Sequence, residues 1–203
     1  MNHIIGIIGT NSEQSTNRTL LTFMARHFAK DATIEVVEIK DIPMFNKPSN
    51  MEVPKEVLAL AAKIEAADGV IISTPEYDHA VTASLMNALS WLSYGIYPFV
   101  DKPVMITGAS YGTLGSSRAQ AHLRQILNAP ELKARIMPSS EFLLGHSLQA
   151  FDEEGNLKDQ NQVAGLEGLF RDFTTFMAIM KQLNHAHEAN KKAAENFSWE
   201  DNK

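Results

Sequence analysis

Three short, unbroken apolar runs constrain this chain more than anything else in it: residues 3–8 (HIIGII), Gly69–Ser73 (GVIIS) and residues 103–108 (PVMITG). A strand with one wet face alternates apolar and polar residues, whereas one that is apolar throughout needs cover on both faces. Each run is followed by a polar loop and then by a stretch with helical spacing. Residues 17–30 place Leu20, Leu21, Phe23, Met24, His27 and Phe28 on one stripe, and residues 83–94 and Ser117–Leu127 read the same way. Residues 34–38 (IEVVE) add a second strand, and residues 54–67 a helix that opens on proline. Residues 133–139 offer a weaker fifth strand. Strands alternating with helices predict an α/β fold, a doubly wound five-stranded parallel sheet with helices on both faces.

The connection over residues 40–53 contains Pro43 and Pro48 and reads as irregular. Residues 141–158 carry turn chemistry at 152–156 and predict a hairpin-like excursion. Residues 163–183 repeat Val163, Leu166, Phe170, Phe173 and Met177, the stripe of a final long helix. Residues 1–183 thus read as one domain, in keeping with 203 residues of ordinary globular composition. Residues 184–203 read as a polar C-terminal tail expected to fray, with Phe197 and Trp199 as the side chains that would let it dock on a partner subunit.

Composition narrows the chemistry. A net charge of −6 without a dense Lys/Arg run argues against a nucleic-acid groove. No apolar run approaches the roughly 20 residues of a membrane-spanning helix, so no membrane insertion is expected. The N-terminus turns polar after Ile8, unlike a secretory signal. The chain has no cysteine, which excludes disulfides, thiolate nucleophiles and Cys-ligated metals and agrees with a cytoplasmic location. Any redox chemistry must then come from a bound cofactor. His185 and His187 form a His-x-His pair with no further ligand nearby in sequence, a poor metal site.

In a parallel sheet, ligands bind beyond the carboxyl ends of the strands, where strand order reverses. The loops after strands one, three and four are all unusual. The first sets Thr10, Ser12, Ser15 and Asn17 at the start of a helix, able to donate to a phosphate at the positive end of the helix dipole. The same residues also suit a plain N-cap at Ser15 or Thr16. In the second, Pro75, Glu76, Tyr77 and Asp78 follow a buried strand as a rigid shelf for a planar ring, or as a turn with an exposed tyrosine. In the third, Gly108, Gly112 and Gly115 let backbone approach a ligand, with Ser110 among them; it also reads as a flexible turn capped by Ser116 or Ser117. Together the loops describe a phosphate cradle, a shelf and a glycine-lined wall, suited to a mononucleotide with a flat head group.

These loops resemble those of the NADPH-dependent FMN reductase family, with its quinone, azo and chromate reductase relatives. The family's GSxRxxSxN is matched by Gly9, Thr10, Ser15 and Asn17, its PEYN by Pro75–Glu76–Tyr77–Asp78, and its LKNAxDWxS by residues 85–93 (LMNALSWLS). The region like KPVxxxGxSxGxxGGxRA is matched by Lys102, Pro103, Val104, Gly108, Ser110, Gly112, Gly115, Arg118 and Ala119. The likeness covers roughly residues 3–140; after Gly145 no motif matches.

What the resemblance implies is a flavodoxin-like fold and an FMN-dependent oxidoreductase. Reduced nicotinamide, NADPH or NADH, gives hydride to the flavin and leaves before a small acceptor takes the electrons. It implies phosphate contacts at Thr10, Ser15 and Asn17, with Ser12 in the same loop, and ring contacts at Pro75, Glu76, Tyr77, Asp78, Ser110 and Gly112, beside Gly115. Arg118 is a candidate for the nicotinamide's phosphates, or a plain helix-surface arginine. No acid–base residue is required, and family members form homodimers or homotetramers.

Three positions depart from the pattern. Ser12 replaces the phosphate-loop arginine, so FMN should bind more weakly unless Arg18 or a neighbouring subunit substitutes. Asp78 replaces asparagine and would set a carboxylate near the flavin, lowering its potential. Ser116 replaces the second glycine and would narrow the approach to the ring. Two other readings remain: an FMN-binding electron carrier or redox-sensing partner, and a hydrolase built on Gly108-Ala109-Ser110-Tyr111-Gly112, for which His146 and Asp152 follow in the wrong order.

Overall fold

In the computed structural model, which describes residues 1–138, 141–183 and 186–197, the apolar runs become the middle of one parallel sheet. Strands β1 (Asn2–Ile8), β2 (Ala32–Val37), β3 (Gly69–Ser73), β4 (Pro103–Ala109) and β5 (Arg135–Ile136) lie in the order β2-β1-β3-β4-β5. Their order reverses between β1 and β3. A further strand, β6 (Phe142–Leu144), also pairs with β4.

Because side chains alternate across a strand, each central strand feeds two cores. Ile5, Ile7, Val70, Ile72, Val104 and Ile106 face helices α2 (Lys55–Ala66), α3 (Ala83–Trp91) and α4 (Ser117–Leu127). Ile4, Ile8, Ile71 and Met105 face α1 (Thr16–His27) and α5 (Gln160–Lys181). On that second side the rings of Phe28 and Phe170 stack with centroids 3.8 Å apart. The doubly wound arrangement expected from the apolar runs is the one observed.

The fifth strand differs from expectation. Val104 pairs with Ile136, and three residues further along β4 Thr107 pairs with Phe142, six residues further along its neighbour. The chain leaves the ladder in between, where Pro138 has no N–H to offer it. The expected strand over 133–139 is thus two residues long, and the segment read as a hairpin-like excursion opens as strand β6. Its turn at 152–156 forms as anticipated: Asp152 Oδ1 accepts from the Asn156 N–H at 2.7 Å, and Phe151 bridges Leu157.

The irregular connection before α2 is pinned by α3. Asn87 accepts from the Phe45 N–H at 2.7 Å and donates to the Pro43 carbonyl at 3.0 Å, and the Trp91 indole donates to the same carbonyl at 2.8 Å. The asparagine and tryptophan of the matched motif therefore hold a loop.

Within the segment read as a fraying tail, α6 (His187–Glu195) is a docked helix. Asn190 Nδ2 reaches both oxygens of Asp101 at 3.1 and 2.9 Å, His187 Nδ1 lies 3.2 Å from Asp101, and Lys133 donates to Asn190 at 2.9 Å. Burial opposes charge on Asp101, but the hydrogen bonds from Asn190 and His187, with the Arg135 guanidinium, outweigh it and hold its carboxyl below the usual aspartate range. This contact lies at the strand edge from which β4 starts. Phe197 is exposed, while His185 and Trp199 lie outside the described residues. No helix among the described residues is long and apolar enough to cross a membrane.

Candidate functional site

The loops after β1, β3 and β4 meet around a cavity of about 510 Å³ at the carboxyl ends of the strands, where strand order reverses. Of the residues singled out from sequence, Thr10, Ser12, Ser15, Asn17, Pro75, Glu76, Tyr77, Ser110, Gly112 and Arg118 line it; Asp78 and Gly115 do not.

At one end the lining is hydroxyls and helix start. Ser15 caps α1, its Oγ accepting from the Arg18 N–H at 3.2 Å, so the N-cap reading holds, and the capping bond leaves the Ser15 hydroxyl proton free to point into the cavity. The N–H groups of Thr16 and Asn17 have no acceptor within the helix and face the same end. Thr10 Oγ1 accepts from the Ser12 N–H at 3.2 Å, which leaves its proton for an outside partner or for Tyr77 Oη, 3.4 Å away.

The side chain of Asn17 is otherwise engaged. It is buried, its Oδ1 accepts from the Ser73 hydroxyl and the Ala109 N–H, each at 2.9 Å, and its Nδ2 donates to the Ala109 carbonyl at 2.9 Å. It ties α1 to β3 and β4, leaving only its backbone N–H for a ligand. Nor does Arg18 replace the missing arginine. Its Nε and second guanidinium nitrogen bind the Glu38 carboxylate at 2.6 and 3.0 Å, and it donates to the Glu13 carbonyl at 3.0 Å. The hydrogen bond from Arg18 in turn holds the Glu38 carboxyl below its usual range.

The second loop is a two-residue hairpin. Tyr77 and Ala80 exchange backbone hydrogen bonds at 3.1 and 2.9 Å around Asp78 (φ 49°) and His79 (φ 65°), the left-handed pair of a type I′ turn. The turn carries Asp78 out of the cavity wall and puts His79 into it. Glu76 turns toward α4, accepting from the N–H groups of Arg118 and Ala119 at 3.0 and 3.4 Å. It thus does the capping that Ser116 does not, because Ser116 has left-handed backbone (φ 71°) and no capping bond. Ser116 is buried away from the cavity, so the expected narrowing at the ring does not arise.

In the third loop, a Cβ on Gly112 would meet nothing within 4 Å; it would project into open space at the cavity wall. Gly115 has φ +58° and lies against β6, where a Cβ would come 2.5 Å from the Leu143 carbonyl carbon. Its role is packing. The Ser110 hydroxyl donates to the Gly112 carbonyl at 3.3 Å within its own loop, and no histidine or carboxylate pairs with it among the described residues.

Sequence reasoning missed the residues after β6. Ser110 N–H donates to the Leu144 carbonyl at 2.9 Å, His146 N–H to Gly112 at 3.0 Å and Ser147 N–H to Ser110 at 3.0 Å, so this segment holds loop three from behind. The Ser147 hydroxyl also meets that of Thr16 at 2.8 Å. Nothing in EFLLGHSLQ signals this; it follows from β6 joining the sheet. Gln14, Thr16, His79, Tyr111 and Leu114 also line the cavity unanticipated, Tyr111 and Leu114 half-exposed beside Tyr77.

Neutral donors and a helix start at one end, and a proline–tyrosine shelf with open space over Gly112 at the other, fit a phosphomonoester joined to a flat ring. Fold and site together define a flavodoxin-like mononucleotide-binding protein. The particular family follows from comparison: the model of the NADPH-dependent FMN reductase family matches residues 2–149. The chain belongs to that family, and is an FMN-dependent NAD(P)H oxidoreductase.

It is similar to the NADH:(hydroxy)cinnamate reductase subunit CrdA of Vibrio ruber, 53% identical over 98% of both chains. The NADH-dependent flavin reductase subunit 2 of Lactobacillus johnsonii is 39% identical, covering 86% of this chain and 96% of that one. Among solved structures, the flavoenzyme NAD(P)H:(acceptor) oxidoreductase FerB of Paracoccus denitrificans shares the fold, with a TM-score of 0.80 at 24% identity over 89% of this chain and 99% of that one.

Proposed function

We propose that the chain is the flavin-carrying subunit of a cytoplasmic, NADH-dependent reductase, holding FMN in the cavity between its first and third loops. The observation that carries this reading is the asymmetry of the cavity, with hydrogen-bond donors gathered at α1 and an open, partly apolar mouth at the other end. NADH as donor, and work within an assembly, are supported by the two relatives described as subunits of NADH-linked enzymes.

In this reading Thr10, Ser15 and Thr16, with the first N–H groups of α1, bind the phosphate without a cation, while Ser12 shapes the loop by giving its N–H to Thr10 and its hydroxyl proton to the Gln14 carbonyl. Pro75, Tyr77, Ser110 and Gly112 seat the ring, and Tyr111 and Leu114 exclude water from its open side. When bound, FMN would supply the redox chemistry between the nicotinamide and the acceptor, and the chain's own residues would hold and orient it. His79 and Arg118 are the basic side chains lining the cavity and would meet the anionic groups of the incoming nicotinamide or of an aromatic acid acceptor. Glu76 keeps α4 capped beside them.

Anaerobic titration of the FMN-loaded protein with NADH and with NADPH tests the reading, followed by turnover with free flavin, a quinone and a hydroxycinnamate. Bleaching of bound FMN by NADH, with turnover on at least one acceptor, is expected. Bound FMN that neither nucleotide reduces would make the chain an electron carrier or redox sensor. Light scattering of the protein alone, and after co-expression with a candidate partner, separates a homo-oligomer from a heteromeric assembly.

A further inference from the structure

Ser147 stands outside every motif read from the sequence, yet it joins the two ends of the cavity. It is fully buried, its N–H donates to the Ser110 carbonyl at 3.0 Å, and its Oγ lies 2.8 Å from Thr16 Oγ1. Thr16 opens α1 and lines the cavity between Ser15 and Asn17. The contact spans 131 positions in sequence and closes loop one onto the segment that braces loop three.

Two hydroxyls in contact share one proton between them, and burial decides which gives it. An O–H that donates to nothing in a dry site forfeits a hydrogen bond it would make in water, so the buried partner donates to the one within reach. Among the described residues, Thr16 Oγ1 is the acceptor within reach of Ser147. Thr16 Oγ1 therefore accepts, and its own proton turns away from Ser147. Ser15 is polarised in the same sense, because its Oγ already accepts from the Arg18 N–H. Thr10 Oγ1 accepts from the Ser12 N–H. Each of the three hydroxyls already accepts one hydrogen bond from the protein and can turn its proton to a ligand, that of Thr10 having Tyr77 Oη at 3.4 Å as its alternative partner.

We propose that Ser147 is a positioning residue that sets the hydroxyl of Thr16 as a donor to the ligand's phosphate, completing a cradle of three pre-oriented hydroxyls where the loop has no arginine. The proposal rests on the reading of the cavity as an FMN site and adds a rule of selectivity: Ser147 matters for FMN and not for riboflavin, which has the same ring and no phosphate.

The test is a titration of the apoprotein with FMN and with riboflavin, for wild type, Ser147→Ala, Thr16→Val and the double variant. Wild-type binding of FMN tests the cavity reading itself; its absence overturns that reading and this one together. With FMN bound by wild type, Ser147→Ala is expected to weaken FMN about five- to tenfold, roughly one hydrogen bond, and to leave riboflavin within about twofold. Thr16→Val should show the same selective loss, and the double variant should be no weaker than Thr16→Val, because Ser147 acts through Thr16. Equal weakening of both ligands, or losses that add in the double variant, would overturn the role of Ser147 alone. Should Ser147→Ala fail to fold, the ratio of FMN to riboflavin affinity in Thr16→Val decides: an unchanged ratio sinks the proposal.

Discussion

Asn17 and Ala109 stand 92 positions apart, and the side-chain amide of the first pairs with the peptide of the second as one strand pairs with another, N–H to Oδ1 and Nδ2–H to carbonyl, both at 2.9 Å. With the Ser73 hydroxyl on the same Oδ1, three buried polar groups depend on one amide. Asn17→Ala leaves all three without partners and is expected to cost about 3 kcal/mol of stability. Urea unfolding of the apoprotein measures it; a loss below about 1 kcal/mol would mean that water replaces the amide.

Asp101 supplies a pH-dependent prediction. Its carboxyl is held below its ordinary value of 3.8, so the stability it confers is complete above that pH and drains away as pH falls through the lower value of the folded state. Asp101→Ala should cost about 3 kcal/mol at pH 7, because the buried carboxylate serves Asn190, His187 and Arg135 together. The gap from wild type should shrink below pH 3.8. FMN affinity should not change, since Asp101 sits at the far edge of the sheet. Melts across pH and flavin titrations check both halves.

Gly112 and Gly145 should respond oppositely to the same added methyl. A Cβ on Gly112 meets open space, so Gly112→Ala should leave the melting temperature unchanged and weaken FMN by entering the room its ring would take. A Cβ on Gly145 would sit 2.6 Å from the Thr113 carbonyl oxygen, so Gly145→Ala should destabilise the apoprotein by about 1–3 kcal/mol. A Gly112→Ala variant with wild-type FMN affinity would move the ring elsewhere in the cavity.

The turn at Asp78 and His79 favours Asn followed by Gly, because both residues have positive φ. Asp78→Asn is expected to stabilise by a few tenths of a kcal/mol, as the turn preference dictates. It should leave the flavin midpoint potential in place, since Asp78 does not line the cavity. Redox titration of the holoprotein decides; a rise in potential would restore the electrostatic role expected from sequence.

The fold was legible because fully apolar strands admit few environments, and the site's location followed from it. Three side-chain roles were not legible. A polar residue at a helix start reads as a phosphate ligand, and only the approach of β3 and β4 shows that Asn17 is buried between them. Glu76 reads as a ring contact until the start of α4 is seen beside it. Arg18 looks available because Glu38, twenty positions on, sits at the end of a different strand. The helix at 187–195 had a signal, its run of Ala, Glu and Lys, which the polarity of the segment masked. Ser147 had none.

Beyond β4 the sheet ends in two residues of β5 and three of β6, with Pro138 in the interval. A long straight border of outward N–H and C=O groups invites foreign chains to add themselves and grow fibrils. Here one border is chopped into pieces too short to template an extra chain. The other, β2, carries Glu35 locked to Lys63 at 2.6 Å, a charge that a newcomer would have to strip of water. Neither flank thus offers an outside chain a long, uncharged ladder to extend.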